Sequence, residues 1–122
     1  MMEQIDGMPD GVLGLRSTGK LSKADYTDVL APALARAIDS GEVRLLYVLD
    51  GFDGLEPGAW IEDAKMGLNV WVRHHSVWRR FALVTDVEWV ARATRTFAWV
   101  GPGESRVFAM GEEPAARDWV AG

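Results

Sequence analysis

The chain has no cysteine. That absence excludes disulfides, thiolate nucleophiles and cysteine-based metal centres. Histidine is nearly absent too, with only the adjacent pair His74-His75. Adjacent helical residues point apart, whereas two metal ligands on one helix need i, i+4 spacing, so the pair suits a helix C-terminus and no metal site is expected. Neither H-E-x-x-H nor G-x-S-x-G occurs, and Gly101-Pro102-Gly103 lacks the Gly-Lys-Ser/Thr of a phosphate loop. Basic charge is short: 13 Lys and Arg against 18 Asp and Glu, a formal net charge of −5. Nucleic acids and anionic membranes are bound mainly by basic surface, so neither is an expected partner. No apolar run approaches the roughly 20 residues that span a bilayer, so no transmembrane segment is expected. The first residues, MMEQIDGMPDG, lack a basic-then-apolar signal pattern, and a cytoplasmic location is the expectation. No cofactor is expected.

What is present is the composition of one globular domain over residues 1–122, with 48% apolar and 25% charged residues. The organising stretch is Val43 to Pro57, VRLLYVLDGFDGLEP. Leu45 to Leu49 is a short apolar run without polar alternation, the pattern of a strand buried on both faces. Asp50-Gly51-Phe52-Asp53-Gly54 then reads as a loop, and Pro57 as the opening of a helix. Loops leaving the carboxyl ends of such strands commonly carry function in α/β proteins.

On the N-terminal side, Gln4-Ile5-Asp6 suggests an edge strand, Asp10-Gly11 a hairpin turn, and Val12 to Gly19 a second strand. Ser22 and Asp25 have capping-box spacing, and Tyr26, Val29, Leu30, Ala33, Leu34, Ala37 and Ile38 form one apolar helical stripe ended by Gly41. Pro32 predicts a kink, because it cannot donate to the carbonyl of Asp28. On the C-terminal side, a helix is predicted from Pro57 to about Arg73, with Glu62-Asp63 near its positive end. Phe81 to Val84 reads as a buried strand. Thr85 and Glu88 form a second capping box, with Val84 and Trp89 placed as a hydrophobic staple, and that helix runs to about Trp99. Arg106 to Met110 is a last strand and Glu113 to Val120 a closing helix. Strands separated by helices are normally parallel, which makes this an α/β domain with a small mixed sheet and about four helices.

The order and the local words together resemble the SpoIIAA-like family, related to the STAS domains of anti-sigma-factor antagonists. The residues that carry the resemblance begin with Gly19-Lys20-Leu21-Ser22-Lys23-Ala24-Asp25-Tyr26, which resembles the family's G-x-L-T-x-x-D-Y pattern with Ser22 at the threonine position. Arg44-Leu45-Leu46-Tyr47 with Phe52-Asp53-Gly54, and Trp60-Ile61-Glu62-Asp63-Ala64-Lys65-Met66-Gly67, come next. Phe81-Ala82-Leu83-Val84-Thr85-Asp86, Arg106-Val107-Phe108 and Glu112-Glu113-Pro114-Ala115-Ala116-Arg117-Asp118-Trp119 complete it. The resemblance implies a STAS-type fold of superhelical βα repeats. In the antagonists a serine or threonine after the central strand is phosphorylated to release the partner. Residues 50–59, DGFDGLEPGA, contain no serine, threonine or tyrosine, so a kinase switch there is not expected.

The candidate binding residues are Asp50, Phe52, Asp53 and Trp60, although turn chemistry alone accounts for Asp and Gly in a loop. Of the six tryptophans, Trp71, Trp89 and Trp119 fit core packing, whereas Trp60, Trp78 and Trp99 lie near element ends, where large aromatics mark an interface or a pocket rim. Two functions follow. The first is a non-enzymatic regulatory or interaction module, expected as a homodimer, docking through residues 50–58. The second is a carrier for a lipid or other apolar small molecule, ranked lower because a chain this short has little room for a cavity. An enzyme using Asp50 and Asp53 ranks last, and no catalytic residue is assigned.

Overall fold

The strand at the centre of the sequence is also the centre of the sheet. In a computed structural model, which describes residues 1–59, 61–63, 65, 75–97 and 103–122, five strands lie side by side in chain order. They are β1 (Met2–Gln4), β2 (Val12–Leu21), β3 (Val43–Leu55), β4 (Trp78–Thr85) and β5 (Glu104–Phe108). β1 runs antiparallel to β2, with Met2 opposite Ser17, and the other neighbours are parallel. The predicted hairpin is therefore present, with its first strand shifted toward Met2.

Side-chain alternation along β3 divides the interior into two cores. Leu45 joins Leu15, Tyr26, Leu30 and Leu34 on one face of the sheet. Leu46 and Val48 join Ala82, Val84, Phe108, Ala116 and Val120 on the other. α1, built from Asp25–Leu30 and Ala31–Asp39, covers the first face, and α4 (Glu113–Ala121) the second. α3 (Glu88–Phe97) packs on β4 and β5. α2 is the helical stretch at residues 57–59, 61–63 and 65.

α1 shows how its sequence signals act. The Ser22 amide donates to Asp25 Oδ2 at 2.8 Å, and the Asp25 amide donates to Ser22 Oγ at 3.3 Å, the reciprocal capping box. Its first turns, Asp25–Leu30, are π-helical and pass into an α-helical segment, Ala31–Asp39, with Pro32 at its start. Where the sequence predicted a kink, a π-helical stretch thus precedes Pro32, the residue that cannot donate to the carbonyl of Asp28.

Three expectations are corrected. β3 does not stop at Leu49 but continues to Leu55, so the 50–54 segment is strand, not loop. The Val84–Trp89 staple does not form: Val84 is buried in the α4-side core, while Trp89 is 60% exposed. Trp78, expected near a rim, packs on the α1-side core with its ring edge-on to Phe81, 6.4 Å between centroids. Trp60, Trp71, Trp99 and the His74-His75 pair lie outside the residues whose side chains are described.

Candidate functional site

The site begins with the way β3 is extended. Along the β2–β3 ladder Asp50 faces Thr18, Phe52 faces Gly19, and Leu55 faces Leu21. Two β3 residues therefore pass one residue of β2, and then three pass two, so the strand carries two successive bulges. Gly51 and Gly54 sit in them at φ +66° and +97°, backbone that favours residues without a Cβ. Each bulge flips the alternation once. Phe52, which would otherwise face away, looks toward the same side as Tyr47 and Leu49, and the second flip keeps Leu55 on that side too.

That side is hollow. A cavity of about 430 Å³ lies between the sheet and the helices. Its floor is Tyr47, Leu49, Phe52 and Leu55 of β3 with Phe81 and Leu83 of β4, and α3 supplies Trp89, Val90, Ala93 and Thr94. Leu21 at the end of β2 and Tyr26 of α1 close it, Ser105 lies at the start of β5, and Asp63 comes from α2. Trp89 is exposed and its ring centroid lies 6.2 Å from that of Phe52, so the two rings mark the rim.

The polar groups of this lining are few, and both phenols are paired. Tyr26 is 4% exposed, and its hydroxyl donates to Asp63 Oδ1 at 3.1 Å. The Tyr47 hydroxyl and Ser17 Oγ lie 2.8 Å apart, and Ser17 is fully buried. Burial pushes the Tyr26 phenol far up, and the negative charge of Asp63 adds to the effect. Burial likewise pushes Tyr47 up to about 12, against a smaller opposing pull from Ser17. Both phenols therefore stay neutral at physiological pH.

The residues singled out from sequence are not brought together. Phe52 lines the cavity. Asp50 is exposed and lies 3.5 Å from Arg16, which also pairs with Glu113 of α4 at 2.9 Å. Asp53 is exposed and Trp60 falls outside the described residues. Tyr26, Tyr47, Asp63 and Trp89 were missed as site residues. The available signal was two tyrosines inside otherwise aliphatic stripes, since a buried phenol needs a polar partner. Among the described residues, no group of three or more His, Asp or Glu is placed to hold a metal ion, and no helix is long and apolar enough to cross a membrane.

The family model described as SpoIIAA-like matches residues 12–121. The chain belongs to the SpoIIAA-like family. Among solved structures this SpoIIAA-like chain is similar to an uncharacterized protein from the DUF3478 family with a SpoIIAA-like fold, from Shewanella loihica PV-4. The two share 27% identity at a TM-score of 0.74, over 98% of this chain and 93% of the other. None of the curated proteins matches the chain. The SpoIIAA-like fold suggests a regulatory module of the anti-sigma-factor-antagonist kind.

Proposed function

We propose that this SpoIIAA-like domain is a non-enzymatic binding module whose cavity holds a small, largely apolar molecule. One observation carries the reading: about 430 Å³ of space ringed by Tyr26, Tyr47, Phe52, Phe81 and Trp89. Small-molecule sites are concave, mostly apolar and marked by a few polar groups, typically at about 300–1,000 Å³. The Gly51 and Gly54 bulges support it further, because the first turns Phe52 inward and the second keeps Leu55 there, at backbone that glycine adopts readily.

A second reading, a regulatory module that docks a protein or a second copy of the chain, draws on the exposed Trp89 beside Phe52 and on the exposed acid Asp53. With no serine, threonine or tyrosine in residues 50–59, such docking would not be switched by phosphorylation there. In either case an apolar ligand would bear on the same aromatic pair.

The neutral dye N-phenyl-1-naphthylamine tests the first reading, because its fluorescence rises in apolar surroundings. Saturable binding of one dye per chain is expected. Replacing Ala93 by Trp fills the cavity from α3 and should weaken that binding at least tenfold while the far-ultraviolet dichroism stays unchanged. Absence of saturable binding, or equal binding by Ala93→Trp, overturns the reading.

A further inference from the structure

We infer that the cavity selects an apolar amine, with Asp63 receiving the ammonium group at the mouth and the aromatic rings receiving the body. The inference rests on the cavity reading above and adds the chemistry of the ligand. Asp63 is the one charged side chain among the described residues of the lining. It is exposed and yet borders the cavity, so it stands where the interior meets solvent. An ionised carboxylate only accepts hydrogen bonds. Tyr26 supplies one of them, to Oδ1, and a carboxylate has room for about three more.

The two phenols do not offset this preference. The single phenolic hydrogen of Tyr26 is directed at Asp63, away from any ligand acceptor. The Tyr47 and Ser17 hydroxyls bond each other at 2.8 Å, which leaves one hydrogen between them. No Lys, Arg or His lines the cavity among the described residues. A fatty acid or aryl carboxylate would therefore bring its charge toward Asp63 with no cation among the described residues to meet it, in surroundings less screening than water. An ammonium finds the reverse: a carboxylate acceptor, the aromatic rings of Tyr26, Phe52 and Trp89 in the same lining, and a chain of net charge −5 that attracts cations. Because Asp63 lies at the rim, the ammonium keeps part of its hydration and only the apolar body is desolvated.

Competition against bound N-phenyl-1-naphthylamine tests the inference with two indoles of similar size and opposite charge, tryptamine and indole-3-propionate. At pH 7 and low salt, tryptamine is expected to displace the dye at a concentration at least tenfold below that needed of indole-3-propionate. In Asp63→Asn the two concentrations should converge to within about threefold. Equal potency in the wild-type chain, a preference for the acid, failure of tryptamine to displace, or a preference that survives in Asp63→Asn overturns the amine inference while the cavity reading stands, since the dye is bound throughout. A chain that does not bind the dye removes both.

Discussion

Asp25 holds together more of this chain than its sequence context suggests. Oδ2 takes the Ser22 amide and hydroxyl, at 2.8 and 3.2 Å, and Oδ1 takes the Met2 amide at 3.1 Å. One carboxylate thus caps α1 and ties β1 to it. Burial alone would raise its pKa, but the two amides, the N-terminal ammonium and the Ser22 hydroxyl together outweigh burial and hold it below the usual 3.8. A carboxyl depressed on folding adds stability at all pH above its unfolded value, and that contribution disappears as pH falls through the folded value. Asp25→Asn should therefore lower unfolding free energy by about 1–2 kcal/mol at pH 7. Urea titrations of both proteins at pH 7 and at pH 3 check this: the gap should narrow in acid, where wild-type Asp25 begins to protonate. A gap independent of pH would show that the carboxylate's charge is not what matters.

At the scale of elements, the bulged end of β3 decides what the cavity is. The stretch Asp50–Leu55 alternates acid, glycine and apolar residues in a way that keeps Asp50 and Asp53 outward and Phe52 and Leu55 inward. Glycine and aspartate serve loops and bulges alike, which is why this segment reads as a loop from composition and proves to be strand. The order of the other elements was legible because periodicity and caps are local: the Ser22–Asp25 box forms as spaced, whereas Thr85 Oγ1 takes the Val87 amide at 3.0 Å in place of the expected Glu88. The staple failed for a reason that spacing does not carry. Val84 belongs to the alternate face of β4, toward α4, while α3 lies with Phe81 and Leu83 across the cavity. The cavity itself was illegible, since its size depends on the separation of three elements distant in sequence. The bulge can be tested directly. A Cβ at Gly51 meets nothing within 4 Å, so Gly51→Ala should cost only the strain of a left-handed residue, about 1–2 kcal/mol. If the bulge aims Phe52, dye binding should fall at least tenfold while the chain stays folded. Binding that weakens no more than stability would detach the bulge from the site.

Across the whole molecule, the two sides of the sheet are built to different standards. The α4 side is filled by Leu46, Val48, Ala82, Val84, Ala116 and Val120, all at most marginally exposed. The α1 side gives up packing around the cavity and keeps two phenols in it. Space without partner atoms forfeits dispersion energy, so stability on this side leans on the neutral, hydrogen-bonded state of Tyr26 and Tyr47. The pH dependence follows from the sign of the shifts. A phenol whose pKa is raised on folding adds its full share of stability below the unfolded value near 10, and loses it as pH rises toward the folded value. For Tyr47, raised to about 12, that share is on the order of 2–3 kcal/mol. A single domain of this size should unfold in one cooperative step, so the loss is readable as one falling unfolding free energy between pH 10 and 12. Tyr47→Phe should start lower at pH 7, because it strips the buried Ser17 hydroxyl of its partner, by about 1–3 kcal/mol. Its decline above pH 10 should nevertheless be shallower than that of the wild type. Parallel declines would mean that Tyr47 titrates much as it does in the unfolded chain, and that its side of the cavity is wetter than its lining of leucines and aromatic rings implies.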